Sequence, residues 1–430
     1  MDRPADDPDP PSEPVFAGLA RPVLTGGNRV RLLQGGGELF AAMIEAIDRA
    51  QSQVWLATYI FDSDPAAEHV AHALAAAARR GVAVRVVVDG FGSKSTLPIL
   101  REWLEAAGVS FTVFRPADRW WHLFQPGQLR RLHQKMCVVD SEVGFVGGIN
   151  LIDDRHDQRH GWTETPRLDF AVALQGPVVS VLAQTTRAMF TRARMGTAWR
   201  EEMMHLVRGA DPVARARRLL GRLKILPPVA PVALEEPLLP VRVAFVVRDN
   251  LRQRRAIEQA YVQAIMMAQQ RGELACPYFY PGRAFRRALR RAARRGVSVR
   301  LLLQGMVDYR FAALAAQVLY HELLAAGVRV FEYTPAFLHA KVALVDDDWA
   351  TVGSSNIDPL SLLLNLEANV IVRDREFTAD LAQRFDVAFR SSLEVVRPHD
   401  GTGWWAVLRR GFVAWMAYWF LRVAGMSGRY

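Results

Sequence analysis

Cysteine is nearly absent from these 430 residues, with only Cys137 and Cys276 present. Two cysteines cannot build a disulfide framework, and neither has partners at metal-ligand spacing. A disulfide-stapled scaffold and a zinc module are therefore excluded. No uninterrupted apolar run reaches the roughly 18 residues of a membrane span. The opening MDRPADDPDPPSEP is acidic and proline-rich rather than basic and then apolar, so it reads as a disordered tail and not as a secretory signal. Lysine is scarce as well: Lys94, Lys135, Lys224 and Lys341 are the only four among 54 basic residues. Against 44 acidic residues the arginines leave a net charge of +10. That surplus suits an anionic partner, whether nucleic acid, an anionic membrane or a phosphorylated substrate, and composition alone does not choose among them. Half of the chain is apolar and 23% is charged, an ordinary globular balance with room for two or three domains.

What the chain does have, it has twice. Arg79-Arg80-Gly81-Val82 leads into an apolar run ending Val88-Asp89-Gly90, and Arg294-Arg295-Gly296-Val297 leads into one ending Leu303-Gln304-Gly305. Each follows an alanine- and arginine-rich helical segment, the order of a helix–glycine–strand unit. Ala106-Ala107-Gly108-Val109 and Ala325-Ala326-Gly327-Val328 each open a further β-prone run. LHQKMCVVD (132–140) then matches LHAKVALVD (338–346), and VGGIN (146–150) matches VGSSN (352–356). Short β runs alternating with amphipathic helices predict two similar α/β halves, each with its own sheet. Between them, residues 196–240 carry Arg208, Arg215, Arg217, Arg218, Arg222 and Lys224, followed by Pro227, Pro228, Pro231, Pro237 and Pro240. A basic helix and a proline-broken strap read as a linker.

The duplicated pattern H-x-K-x4-D carries the chemistry. It occurs at His133, Lys135 and Asp140 and again at His339, Lys341 and Asp346, and each copy continues to a glycine and an asparagine: Gly147 and Asn150, Gly353 and Asn356. Chance supplies on the order of 0.01 copies of such a pattern in a chain of this composition. On a strand, residues i and i+2 share a face, so each histidine points the same way as its lysine. Brought together, two such halves offer two imidazoles, two ammonium groups and two carboxamides around one point. Lysine and asparagine would neutralise phosphoryl oxygens there while the histidines handle covalent and proton chemistry.

The duplicated motif, with G-[GS]-x-N after it, resembles the phospholipase D superfamily and within it is most similar to bacterial cardiolipin synthases of a short form without N-terminal transmembrane helices. Supporting segments are TYIFDSD (58–64), LDFAVALQGP (168–177), PYFYPG (277–282) and the run from His339 to Val372. The resemblance implies an α/β fold of two phospholipase D-like α/β/α sandwich halves, with mixed sheets flanked by helices, around one shared site. The expected division is a tail at 1–27, domains at 28–195 and 241–398, a linker at 196–240 and a terminal segment at 399–430. The implied reaction is a ping-pong phosphatidyl transfer without metal or cofactor, from phosphatidylglycerol to a second phospholipid alcohol, releasing a small alcohol such as glycerol. His133 is expected as nucleophile and His339 as acid/base. Lys135, Lys341, Asn150 and Asn356 would bind the phosphate. Asp169 and Glu367 would each hold a histidine's far ring nitrogen, while Asp140 and Asp346 brace the motif. His122, His156 and His160, in polar loops, are bystanders. The halves are not identical: Asp358 has no equivalent in the first half, which carries a polar insertion through Arg167 instead.

Two segments suit lipid. Trp120, Trp121 and Phe124 lie in an insertion ahead of His133, and Trp404, Trp405, Trp415 and Trp419 lie in a terminal stretch interrupted by Arg409, Arg410 and Arg422. The apolar run from Gly411 to Leu421 is too short to span a bilayer, and tryptophan flanked by arginine favours its interface. The expected partners are anionic phospholipids and a membrane surface, with no nucleic acid, at the cytoplasmic face of a bacterial membrane. A lipid hydrolase or a nuclease on the same fold is the alternative. Oligomeric state is open, since two internal halves can complete a site within one chain.

Overall fold

The computed structural model describes residues 22–116, 131–158, 160–207, 240–248, 255–306, 319–358 and 365–396. The first half contains β1 (Arg29–Gln34), α1 (Gly35–Asp48), β2 (Gln53–Thr58), α2 (Pro65–Arg79), β3 (Ala83–Asp89), α3 (Leu97–Glu105), β4 (Ser110–Phe114), β5 (Met136–Val139), β6 (Val143–Gly147), the short β7 (His156–Asp157) and β8 (Gly161–Trp162), β9 (Phe170–Gln175) and α4 (Val178–Val207). The second contains β10 (Arg242–Arg248), α5 (Ala256–Met267), β11 (Arg271–Cys276), α6 (Arg283–Arg294), β12 (Ser298–Gln304), β13 (Arg329–Tyr333), β14 (Val342–Val345), β15 (Trp349–Gly353), β16 (Glu367–Arg373), α7 (Arg375–Arg390) and β17 (Ser392–Glu394).

The two sheets share one strand order. The first runs β1-β9-β6-β5-β2-β3-β4, and the second runs β10-β16-β15-β14-β11-β12-β13 with β17 added at its edge. In each sheet the first two pairings of the helix-connected strands are parallel (β2 with β3, β3 with β4), while β5, β6, β9 and β1 pair antiparallel. Both sheets are mixed, as expected. The repeated R-R-G-V segments explain themselves here. Gly81 and Gly296 take φ of 92° and 91° just past α2 and α6. The next residue's N–H returns to the helix, from Val82 to Ala77 O and from Val297 to Ala292 O, each at 3.1 Å. Only glycine enters that left-handed position without steric cost.

Side-chain alternation sorts the core into layers. Val54, Val84, Val86 and Val88 face α1 and α2, while the outer face of the second sheet meets α5 and α6 through Leu274, Leu301 and Leu303. The inner faces form a common core. Val138, Val146 and Val172 of one sheet belong to the same cluster as Val342, Val352 and Val370 of the other, with Leu182 and Met189 of α4 and Leu381 and Phe385 of α7. The halves therefore share apolar packing as well as a site.

Two expected boundaries move. Thr25 pairs with Val243 of β10 through a 2.9 Å N–H bond, so the end of the expected tail is a structured tie between the halves. Helix α4 runs on to Val207, past residue 195 where the linker was expected to begin. The remainder of the linker, 208–239, the tail through residue 21 and the terminal segment from 397 onward lie outside the described residues.

Asp140 and Asp346, counted with the catalytic motifs, sit at the opposite ends of β5 and β14 from the histidines. Both adopt positive φ, 51° and 52°, a region that aspartate tolerates. The Asp140 carboxylate accepts N–H bonds from Gln51, Ser52 and Gln53 at 2.8–2.9 Å, and Asp346 accepts them from Gln269, Gln270 and Arg271 at 2.8–3.1 Å. They pin the turns that lead into β2 and β11. Burial opposes the Asp140 charge, but these amides outweigh it and hold its carboxyl below the usual range. Asp140→Ala should cost about 2 kcal/mol, seen as a lower urea midpoint at unchanged slope. Because the folded pKa is depressed, the wild-type advantage should be full above pH ~4 and fade as pH falls through the folded value. An unchanged midpoint at neutral pH would remove the bracing role.

Candidate active site

Each histidine is placed by backbone pairing with the opposite half. Leu132 forms a parallel bridge with Leu366, and Leu168 forms one with Leu338. The His133 N–H donates to Leu366 O at 3.1 Å, and the His339 N–H donates to Leu168 O at 2.9 Å. Leu366 precedes Glu367 and Leu168 precedes Asp169, so the same pairing carries each carboxylate across to the other half's imidazole. His133 Nδ1 lies 3.0 Å from Glu367, and His339 Nδ1 lies 2.6 Å from Asp169. With both Nδ1 atoms engaged, Nε2 is the nitrogen each ring has left for chemistry.

The lysines are tethered to their own motifs: Lys135 Nζ donates to His133 O at 2.7 Å, and Lys341 Nζ donates to His339 O. The Tyr59 ring packs 5.0 Å from that of His133, with Lys135 Nζ 5.5 Å from its centroid. Asn150 and Asn356 are buried, and the Ile60 N–H donates to Asn150 Oδ1 at 3.3 Å.

The two carboxylates are supported differently. A side chain at Gly148 would collide with Asp169, so the backbone itself closes against that carboxylate. The second half has Ser354 in its place, whose hydroxyl donates to Glu367 at 2.5 Å and accepts the Ala368 N–H at 3.0 Å. The alignment of VGGIN with VGSSN already set Ser354 opposite Gly148, which was the available signal for this contact.

A second pair of supports also falls at matching positions of the repeat. Buried Asp89, at the end of β3, accepts the Leu132 N–H at 2.8 Å, and Gln304, at the end of β12, accepts the Leu338 N–H at 3.0 Å. These two side chains fix the peptide just before each histidine. They differ in type, so the repeat showed their matching position and not their shared role.

Burial and excess positive charge set the electrostatics. Glu367, Asp169 and Lys341 are at most 1% exposed and Lys135 is 5% exposed. Burial lowers the His133 pKa against the pull of Glu367. It lowers His339 well below the ordinary value, with Lys341, Arg167, Lys135 and His133 adding to the effect. Burial brings Lys135 down to about 7 and lowers Lys341 as well. It raises Asp169 to about 6, while Glu367, despite burial, is held below its usual range by His133 and Lys135. Such a site favours an anion with several oxygens, because each arriving negative charge restores protons that burial has weakened.

Other expected residues lie elsewhere. His156 stacks on Trp162 at 5.0 Å, and His160 pairs with Asp157 at 2.9 Å. Asp62, Asp64 and His156 are the metal-type donors that cluster among the described residues. Their carboxylates are already occupied by Gln158 and by the Ala67 and Asp153 amides. His122, Trp120, Trp121, Phe124, Trp404, Trp405, Trp415 and Trp419 lie outside the described residues.

Two duplicated halves with paired imidazoles, each held by the other half's carboxylate, define a phospholipase D-like protein. The family model for the "Cardiolipin synthase, PLD-like domain" matches residues 43–161 and 261–388. Cardiolipin synthase B of Shigella flexneri is 37% identical over 355 residues, covering 83% of this chain and 79% of that protein, and the Escherichia coli (strain K12) protein gives the same figures. Cardiolipin synthase A of Pseudomonas putida (strain GB-1) is 31% identical over 380 residues, covering 88% of this chain and 72% of that one. Among solved structures, phosphatidylserine synthase of Haemophilus influenzae Rd KW20 shares the fold, with a TM-score of 0.65 at 12% identity, over 94% of this chain and 96% of that one. The chain belongs to the phospholipase D-like cardiolipin synthase family.

The crossed pairing has a direct test. Glu367→Gln and Asp169→Asn should each lower turnover on the order of 100-fold or more. In ring-nitrogen NMR, Glu367→Gln should lower the titration of His133, in the other half, because its anionic partner is gone. Asp169→Asn should perturb His339. A carboxylate that disturbed only the histidine of its own half would contradict this geometry.

Proposed function

We propose that the protein is a cardiolipin synthase that transfers a phosphatidyl group from phosphatidylglycerol to the hydroxyl of a second phospholipid through a phosphatidyl-histidine. The observation that carries this reading is the buried, cation-rich site with two carboxylate-held imidazoles, set within a chain that resembles cardiolipin synthases along most of its length. His133 Nε2, neutral, attacks phosphorus, and its Nδ1–H stays on the Glu367 carboxylate, which remains ionised to stabilise the positive ring that forms. His339, made a strong acid when protonated by burial and then by its cationic neighbours, gives its Nε2 proton to the departing glycerol oxygen. The roles then reverse. Neutral His339 takes the proton of the acceptor hydroxyl, whose oxygen attacks phosphorus and releases His133. Lys135, Lys341, Asn150 and Asn356 receive the negative charge that grows on the phosphoryl oxygens. Asp140 and Asp346 serve the turns and not the substrate.

In this reading the first sandwich half, reaching from Thr25 to the end of α4, and the second, at 241–398, form the catalytic unit, joined through the residues that follow α4. Trp120, Trp121 and Phe124, together with the tryptophans of 399–430, contact lipid at the cytoplasmic face of a bacterial membrane. Among the described residues no helix is long and apolar enough to cross a membrane.

Vesicles containing headgroup- and acyl-labelled phosphatidylglycerol, without added metal, test the proposal. Wild type should form cardiolipin and free glycerol, and His133→Ala and His339→Ala should each lower the rate by on the order of 10³-fold or more. Phosphatidic acid as the only product would make the protein a hydrolase. Cleavage of single-stranded DNA with no phospholipid turnover would overturn the lipid reading. The pH profile should be a bell whose two limbs belong to the coupled pair, because the reactive state has one proton shared between His133 and His339. Both pKa values lie low in the empty site, and a bound phosphodiester raises them, so the kcat profile should sit at higher pH than the kcat/KM profile.

A further inference from the structure

Helices α2 and α6 occupy the same place in the two halves and bury the same kind of stripe: Ala67, Val70, Ala71 and Leu74 in one, Phe285, Ala288, Leu289 and Ala292 in the other. Their outward faces differ completely. In α2, Glu68 and Arg79 are its only acidic and basic residues, whereas α6, RAFRRALRRAAR, has six arginines and no acidic residue. An arginine-biased composition would load both helices, and the fold demands this charge in neither.

Arg286 and Arg290 are among the arginines with partners inside the protein, meeting Glu322 at 3.2 and 2.8 Å. Just beyond the helix, Arg295 donates to the carbonyls of Met266 and Ala268 at the end of α5, where a cation is favourable. Arg283, Arg287 and Arg294 lie on the exposed side. Their spacing places them in one stripe roughly 17 Å long. Like charges at i,i+4 work against the helix that carries them, so the stripe is a local conflict that the fold does not require. At its C-terminal end stand Met266 and Met267, 45% and 73% exposed. At its N-terminal end, Phe279, a few residues ahead of Arg283, bridges Ile357, the residue after Asn356. The stripe thus runs from the neighbourhood of the proposed phosphate site along the flank of the second half.

We propose that this face of α6, with Met266 and Met267, is a docking surface for an anionic lipid bilayer. The choice of lipid over another polyanion rests on the reading above that the substrates are phospholipids. It rests also on the two methionines, which suit acyl chains better than a phosphate backbone.

The test compares the full chain with Arg283→Gln/Arg287→Gln/Arg294→Gln, measuring co-sedimentation with vesicles of equimolar phosphatidylglycerol and phosphatidylcholine and with vesicles of phosphatidylcholine alone. Each basic side chain near an anionic surface is worth about five-fold in partitioning, so the triple variant should bind the anionic vesicles on the order of 100-fold more weakly. Its weak binding to the neutral vesicles should not change. The matching triple Arg→Lys variant should bind as wild type, and thermal unfolding of the Gln variant should be unchanged or later, which separates lost docking from lost folding. Turnover of phosphatidylglycerol in detergent micelles should be retained by the Gln variant, since none of the three residues belongs to the catalytic site. If micellar turnover is absent even in wild type while vesicle binding still depends on the stripe, the functional reading fails and the docking surface stands. Equal vesicle binding by wild type and the Gln variant overturns the proposal.

Discussion

Two lysines and two carboxylates are buried beside two partly exposed imidazoles at the junction of the halves, and their mutual pairing is what makes that burial tolerable. Taking one such charge out of water costs several kcal/mol unless a partner meets it. Here the partner of each imidazole arrives from across the junction, Glu367 to His133 and Asp169 to His339. The bridges Leu132–Leu366 and Leu168–Leu338 exist in the same register, and the inner-face valines of both sheets close around them. A half taken alone would keep its histidine and lysine and lose the carboxylate that orients the ring. Fold and chemistry therefore depend on one contact surface.

That dependence explains what could be read from the sequence and what could not. His133, Lys135, His339 and Lys341 stand out because lysine is so rare in this chain and because i, i+2 spacing has one meaning on a strand. The glycines of the two R-R-G-V segments were equally legible, since a positive-φ helix terminus needs a residue without Cβ. Asp169 and Glu367 were recognisable as a pair, but which imidazole each one meets follows from strand pairing between residues far apart in sequence. No local pattern encodes such pairing. Asp89 and Gln304 stand at matching positions of the repeat, but their difference in type hid the shared job of accepting a leucine N–H, which either a carboxylate or a carboxamide can do.

The duplication is also imperfect where it matters chemically. A glycine backbone presses against one carboxylate and a serine hydroxyl bonds the other; burial raises Asp169, while His133 and Lys135, with the Ser354 hydroxyl after them, hold Glu367 below its ordinary value. A site with strict two-fold symmetry would offer two equivalent rings, and acid and nucleophile would compete for either. Unequal surroundings give the rings unequal proton affinities before any substrate arrives.

The covalent connection between the halves has a consequence for assembly. Separate half-length chains would complete this site only by meeting in solution, so the fraction of competent sites would fall on dilution. Joined in one polypeptide, each half sees the other at an effective concentration of about millimolar, set by the connection and not by the number of molecules present. Site occupancy by its own parts then becomes independent of expression level, and a sequence change in one half is inherited with its partner. Two identical copies in a dimer cannot drift apart at a single position, because one gene writes both. Fused copies can, and Gly148 opposite Ser354 is such a drift.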